Sequence, residues 1–318
     1  MTFNMKRLLA SCTAALMLLA STSAIAQDST WTARAGTIFL HRSNSSAPIL
    51  RDGTTLATAV SASQLDFKTE WGIEGVLTRQ IGSDNALELR YFQVDGWKAA
   101  STRTLAPAGL NLASIDLGPS GFNGNVAVTY KSELHSAELN VIKPASSWLN
   151  LLAGFRWVEV DESLLIDFLG PTPLFAAPTY KVDTDNHLYG FQLGADGLVI
   201  SSSNLEISFF SKVGMFANVA DQSTSFGGFL PTFISPARNG ISDTVVSLLS
   251  ELGVSATLWL TSNWSVVAGY QAMWIEGVAL APDQIPNMSS GPTGLVPAQL
   301  DMSGIFYQGG FISLMGTF

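Results

Sequence analysis

The chain has 318 residues, 47% of them hydrophobic and only 13% charged, with 16 basic and 25 acidic side chains and a formal charge of −9. That acidic balance excludes nucleic acid as a partner and a polybasic face docking on anionic lipid. Beyond the N-terminal segment no apolar run reaches about 18 residues, which excludes helical membrane spans.

Lys6 and Arg7 precede an apolar run over residues 8–19 that is broken only by Ser11, Cys12 and Thr13. Ala24, Ile25 and Ala26 then form a small-x-small site. The pattern predicts a secretory signal over residues 1–26, removed from a single domain spanning 27–318. Without Lys6 and Arg7, 14 basic and 25 acidic residues remain, a net charge of −11. Cys12 is the only cysteine, and it lies inside the apolar run rather than after it, where a lipidated cysteine belongs. The exported part therefore has no disulfide or thiolate chemistry, and nothing in it calls for a cofactor.

From residue 31 onward, short segments alternate with period two, which places one residue set on each face of a strand. The predicted strands are 31–40, 68–80, 86–97, 126–142, 148–160, 186–196, 204–214, 247–260, 264–274 and 305–318. In the fifth, Leu151, Ala153, Phe155 and Trp157 alternate with Gly154 and Arg156. In the eighth, Leu252, Val254, Ala256 and Leu258 alternate with Glu251, Gly253, Ser255 and Thr257. A soluble β-sandwich would alternate too. However, these segments are longer than the usual five or six residues, and Trp31, Trp71, Trp97, Trp148, Trp157, Trp259, Trp264 and Trp274 sit near their ends, where an interfacial aromatic girdle would stand. The last segment ends on Phe318, which resembles the assembly signal of outer-membrane barrels. The fold expected is an all-β transmembrane antiparallel up-and-down barrel.

The connections alternate between long and short. Residues 81–85, 143–147, 197–203 and 261–263 are short and rich in turn formers. Residues 42–67, 98–125, 161–185, 215–246 and 275–304 are long, as on the outer side of such barrels. Five long and four short connections make ten strands; an extra hairpin within 215–246 would make twelve.

The polar strand faces carry Arg34, Glu74, Glu88, Arg90, Glu138, Arg156, Glu206, Lys212 and Glu251. In so narrow a barrel these form either a packed, ion-paired plug or the lining of a narrow pore. Adjacent-strand heights pair Arg90 with Glu138 and Lys212 with Glu251. His41, His135 and His187 fall on separate segments and read as surface histidines, so no catalytic residue is assigned and the chain is not expected to be an enzyme; a Ser-His-Asp site would need His41 or His187 at a barrel mouth. Asp161, Glu162 and Asp167, with Asp183 and Asp185 across one long loop, form an acidic cluster near a rim: a solvated loop, or a weak candidate for divalent cations.

Three segments resemble a known family. The run from Gly269 to Gln284, GYQAMWIEGVALAPDQ, is similar to the late motif of the bacterial outer-membrane barrels of β-barrel porin family 7. Gly154-Phe155-Arg156-Trp157 followed by Glu159, Asp161 and Glu162, and the run from Asn186 to Gly194, resemble its mid-barrel motifs. The resemblance covers residues 132–318 and implies an outer-membrane barrel without assigning binding residues. Its expected partners are outer-membrane lipid, the barrel-assembly machinery through Phe318, and small solutes if a pore exists. The topology is open to test: epitope tags near Gly109, Gly227 and Gly291 should be reachable on intact cells and tags in the short turns should not, and the reverse pattern would invert the barrel.

Overall fold

The computed structural model describes residues 31–318 apart from 53–54, 83, 105–109, 113–124, 170–178, 228–236, 292–293 and 298. The expected signal over 1–26 lies outside the described residues. Among the described residues no helix is long and apolar enough to cross a membrane; the crossing is made by strands.

Ten strands close into an antiparallel barrel. In chain order, with the short strands of the loops included, the elements are β1 (Trp31–Arg42), β2 (Pro48–Asp52), β3 (Thr58–Ser61), β4 (Glu70–Ile81), β5 (Asn85–Thr104), β6 (Leu110–Leu112), β7 (Asn125–Pro144), β8 (Leu149–Leu169), β9 (Thr179–Ser201), β10 (Leu205–Gly227), β11 (Ala237–Trp259), β12 (Trp264–Ala279), β13 (Met288–Gly291), β14 (Gly294–Pro297) and β15 (Met302–Thr317). The wall runs β1-β15-β12-β11-β10-β9-β8-β7-β5-β4 and returns to β1. Closure extends to the chain's last residue: Phe318 N donates to Trp31 O at 2.8 Å and Trp31 N to Phe318 O at 3.2 Å. All ten expected strands are present. Among its described residues the segment 215–246 adds no hairpin to the wall; it lengthens β10 and β11, which pair from Leu205↔Leu258 to Phe226↔Ala237.

Tryptophans mark the membrane. Trp31, Trp148 and Trp264 are exposed at the end of the short turns, and Trp71 and Trp274 at the other end. Trp264 packs edge-on against Phe318, and Trp274 against Phe306. Trp264 and Trp274 share β12; the ten residue steps from one to the other, at about 3.4 Å each on a strand tilted by about 40°, rise about 26 Å, the height of a lipid-facing band. Between the girdles Leu151, Phe155, Phe191, Leu193, Val213 and Val254 are exposed, as residues facing hydrocarbon must be. Two tryptophans depart from expectation. Trp259 follows the inward phase of Ser255 and Thr257 on β11. Trp97 is fully buried inside, its Nε1 donating to Leu40 O at 3.2 Å. A bulge after Val94 shifts the β5–β7 register, with Gly96 at φ 102°. One extra residue moves every later side chain of β5 to the opposite face.

Several strands are 20–23 residues long, about twice what a membrane-spanning strand needs, so the wall continues past the bilayer on the long-loop side. There the alternation changes phase. On β8, Leu151 and Phe155 point out to lipid while Arg156 points in; higher up, Val158, Val160, Leu164, Ile166 and Phe168 point in and are buried, while Glu159, Asp161, Ser163 and Asp167 point out. Lipid outside demands apolar residues outside, and water outside allows the apolar set to turn inward and build a core. The result is a hydrophobic core inside the protruding part of the barrel, formed by Phe67, Trp97, Tyr130, Tyr180, Phe216 and their neighbours.

The two-faced wall makes a testable claim about stability. An arginine in place of Leu151 or Val254, both lipid-facing, should cost roughly 2–4 kcal/mol. The same change at Ser208 or Ser255, which line an internal cavity, should cost less, as measured by denaturant unfolding in lipid or detergent.

Candidate functional site

Inside the membrane-level lumen the inward phase of eight strands converges on one ion cluster. Arg90 on β5 is its hub. Its Nε lies 2.9 Å from Glu74 Oε1 on β4, its Nη1 3.1 Å from Glu138 Oε1 on β7 and 2.7 Å from Glu251 Oε1 on β11. Its Nη2 donates to Gln271 Oε1 on β12 at 2.9 Å. In the ring order β5 and β11 are five steps apart in a wall of ten, so Arg90 and Glu251 meet from opposite walls. Arg156 on β8 reaches Glu251 Oε2 at 2.6 Å and Glu138 Oε1 at 3.5 Å, while its Nε donates to Ser136 Oγ at 2.9 Å. Lys212 on β10 reaches Glu138 Oε2 at 2.6 Å. Gln192 on β9 donates to the same oxygen at 2.8 Å.

The core of this cluster is neutral. Glu74, Glu138 and Glu251 face Arg90, Arg156 and Lys212, and all six are buried. Burying an ion is costly unless a partner and further hydrogen bonds satisfy it, and here each charge has an opposite partner and the amides of Gln192 and Gln271 fill in. Arg34 joins at the edge, 3.4 Å from Glu74 Oε2. Glu88 is tied in through Asn140, whose Nδ2 donates to both Glu88 Oε1 and Glu138 Oε2. Glu206 stands lower, between Ser201 and Thr257 in the register, and takes no part.

Of the two pairs expected from strand height, Arg90–Glu138 forms. Lys212 and Glu251 do stand opposite each other, but Lys212 turns to Glu138 and Glu251 is held by Arg90 and Arg156. The lumen is narrow enough that a partner three to five strands away competes with a cross-strand neighbour. Height along a strand fixes which charges share a layer and leaves the partner open.

Below the cluster, toward the short turns, lies a cavity of about 320 Å³ lined by Arg34, Glu88, Asp196, Ser208 and Lys212 among others. Above it comes a second buried ion pair. Arg42 Nη1 binds Glu162 Oε1, Arg42 Nη2 donates to Tyr130 OH at 3.1 Å, and Tyr130 OH donates to Glu162 Oε2 at 2.6 Å. The Arg42 guanidinium lies over the Phe67 and Tyr130 rings. The expected acidic cluster is therefore divided by the wall: Glu162 points in to Arg42, whereas Asp161, Asp167, Asp183 and Asp185 point out. As a single cation site, Asp161, Glu162 and Asp167 are ruled out by their facing. Arg42 was outside the expected first strand, although it continues the inward phase of Ile38 and Leu40.

The segment of the late motif folds into the barrel above the Arg42–Glu162 pair. Near the end of β12 a bulge places Gly277 at φ 80°, a backbone conformation that favours glycine, and the chain turns inward. Asn218 Nδ2 and Ser247 Oγ both donate to Gly277 O. Asn186 pairs with Ala279 in both directions, accepting from its N–H and donating to its carbonyl. Ala281 N donates to Glu162 Oε2 at 2.9 Å. A short 3-10 helix, Ala281–Asn287, follows, with Ala281, Asp283, Gln284 and Ile285 buried. Gln284 closes a reciprocal pair with the Asp301 backbone, and Asp283 accepts from Ser45 and Ser303. The late motif thus packs into the barrel end on the long-loop side.

These features define a transmembrane up-and-down β-barrel whose lumen is crossed by buried ion pairs. The sequence profile described as Putative beta barrel porin-7 (BBP7) matches residues 108–300, and the chain belongs to that family. No curated protein matches it. Among solved structures it is similar to the outer membrane protease OmpT from Escherichia coli, at 11% identity over 94% of this chain and 100% of that one, with a TM-score of 0.49. It is also similar to the translocator domain of the autotransporter NalP from Neisseria meningitidis, at 9% identity over 98% of each chain and a TM-score of 0.44. The toluene transporter TodX of P. putida is 8% identical over 92% of this chain and 90% of that one, with a TM-score of 0.35.

The cluster's energetics can be dissected. Glu138→Gln leaves Lys212 and Arg156 short of a buried anion and should cost about 3–5 kcal/mol. Adding Lys212→Met removes one stranded cation, so the double variant should unfold at a higher denaturant concentration than Glu138→Gln alone. Strictly additive losses would mean that water solvates each charge separately.

Proposed function

We propose that this porin-family chain resides in the bacterial outer membrane as a closed, non-conducting barrel, acting structurally or through its outward surface. The observation that carries this reading is the contact of Arg90 with Glu251 from opposite walls, within a neutral, buried cluster. A conducting lumen keeps its charges hydrated and has no need to balance them; a plug strips their hydration and must balance them. Ten strands also fall near the eight at which side chains fill the interior, well short of the sixteen at which open channels appear. The partners that follow are outer-membrane lipid around the apolar belt and the barrel-assembly machinery at the strand ending in Phe318. An enzyme is disfavoured because His41 and His187 lie in the outward phase of β1 and β9, away from any lumen site.

A gated channel for ions or small solutes is the second reading, favoured by the 320 Å³ cavity on the short-turn side and by a separate, hydrogen-bonded segment packed into the barrel end on the long-loop side. Planar-bilayer recording separates the two. The unmodified protein should be silent, and Arg90→Ala combined with Glu251→Ala should stay silent because the apolar core above still fills the barrel. Regular steps from the unmodified protein would overturn the closed-barrel reading.

A further inference from the structure

The outer wall carries a second constellation that the lumen does not use. Tyr91, Ala137, Trp157 and Tyr189 form one outward row across β5, β7, β8 and β9, the row of aromatic side chains expected at the upper lipid boundary. One step above it stand Gln93 and His135, and one step higher Asp95 and Glu133. The same bulge that turns Trp97 inward leaves Asp95 beside β7. Donor atoms of Asp95, Glu133 and His135 all lie within 4.8 Å of one another.

The imidazole is set in a definite tautomer. Tyr91 OH donates to Gln93 Oε1 at 2.8 Å, which uses its only proton, so at 3.1 Å from His135 Nδ1 it can only accept. With Nδ1 donating to that oxygen, the neutral ring holds its lone pair on Nε2. The His135 ring is 5% exposed, and its Nε2 has no hydrogen-bond partner. It nevertheless lies 3.1 Å from Asp95 Oδ1, off the line a hydrogen bond requires. Gln93 Nε2 in turn donates to Asp95 Oδ2 at 3.3 Å. Glu159 and Asp161 stand opposite His135 and Glu133 on β8, and Lys98 and Lys131 pair one step above. A buried lone pair aimed at carboxylate oxygens is repulsive unless a proton or a metal ion sits between them. An imidazole nitrogen whose other nitrogen is held by a hydrogen bond is the usual geometry of a metal ligand.

We propose that Asp95, Glu133 and His135 bind one divalent transition-metal ion of the zinc class on the outer face of the wall, at the upper lipid boundary. One nitrogen and two carboxylate oxygens suit such an ion. A tetrahedral site with bonds of about 2.1 Å brings donors to about 3.4 Å from each other; Asp95, whose side chain is 45% exposed, is free to swing in and close the set. The remaining coordination position faces the headgroup layer. Tyr91 and Gln93 are positioning residues, fixing the tautomer of His135 and the rotamer of Asp95.

The test is titration of the full barrel, folded in detergent and stripped with chelator, with Zn²⁺ by calorimetry and with Co²⁺ by visible absorption. One ion per chain is expected, with Co²⁺ bands of a low-coordinate N/O site. His135→Ala should abolish the stoichiometric site, and Tyr91→Phe should weaken it by about 10–100-fold. Asp167→Asn, outward on the same wall but higher, should leave it unchanged. Circular dichroism and heat-modifiable gel mobility confirm that each variant is folded. Absence of a stoichiometric site in the unmodified protein would overturn the proposal, as would folded His135→Ala binding like the parent, or Asp167→Asn weakening binding as much as His135→Ala.

Discussion

Ten strands close around a lumen so narrow that side chains from opposite walls touch, and the rest of the molecule follows from that. A charge in such a lumen cannot keep a full hydration shell, so it must find a counter-charge within reach. Glu74, Glu138 and Glu251 against Arg90, Arg156 and Lys212 is the solution adopted at membrane height, and Arg42 against Glu162 the one above it. The same narrowness governs the small residues. Phe216 lies against the backbone of Gly190 and Gly214, where a Cβ would stand 2.7 Å from its ring carbons. A larger residue at either position would drive that ring into the core layer.

The second organising fact is the surrounding medium. The wall crosses from lipid to water while its strands continue without a break, and the residue pattern reverses its facing at the crossing. Leu151 and Phe155 outside with Arg156 inside becomes Asp161 and Asp167 outside with Leu164 and Ile166 inside, all on β8. Period two is preserved throughout; what changes is which phase is apolar. On β5 the bulge at Asp95 and Gly96 achieves a related end by a backbone insertion, bringing Trp97 into the protruding core and setting Asp95 on the outer surface beside His135.

This reversal explains what the sequence disclosed and what it withheld. Strand number, direction and the tight turns were legible, because at membrane height an apolar outward set alternates with small and polar residues, and turn formers separate the strands. The upper halves of β8 to β11 lack the pattern of a membrane strand: on β8 and β9 the apolar phase has moved inward, and on β10 and β11 polar residues stand on both faces, Asn218 and Gln222 inside with Asp221 and Ser223 outside. Arg42 was lost to the same effect, and Glu162 was grouped with carboxylates on the other side of the wall. Parity gives the inward facing of the lumen charges and not their membership of the cluster, since Glu206 faces inward but stands below it. The partners were not legible either, since Lys212–Glu138 and Arg90–Glu251 depend on the barrel's diameter, which no local pattern encodes. The Asp95–Glu133–His135 constellation was hidden by the bulge, whose only trace in the sequence is Asp-Gly before Trp97.

Of the ten pairings in the wall, nine join strands that follow one another along the chain. The tenth, β1 with β15, runs from Thr32↔Thr317 to Arg42↔Tyr307 and links the two ends of the ordered sequence. Hairpins close over short connections, whereas this seam carries the largest loop-closure entropy in the molecule and is the natural last step of assembly. Until it forms, β1 and β15 each present an open edge of backbone N–H and C=O groups that hydrocarbon cannot satisfy. The seam is thus a built-in checkpoint on biogenesis: an intermediate lacking it is poorly tolerated by the bilayer and must be shielded until its final strand arrives.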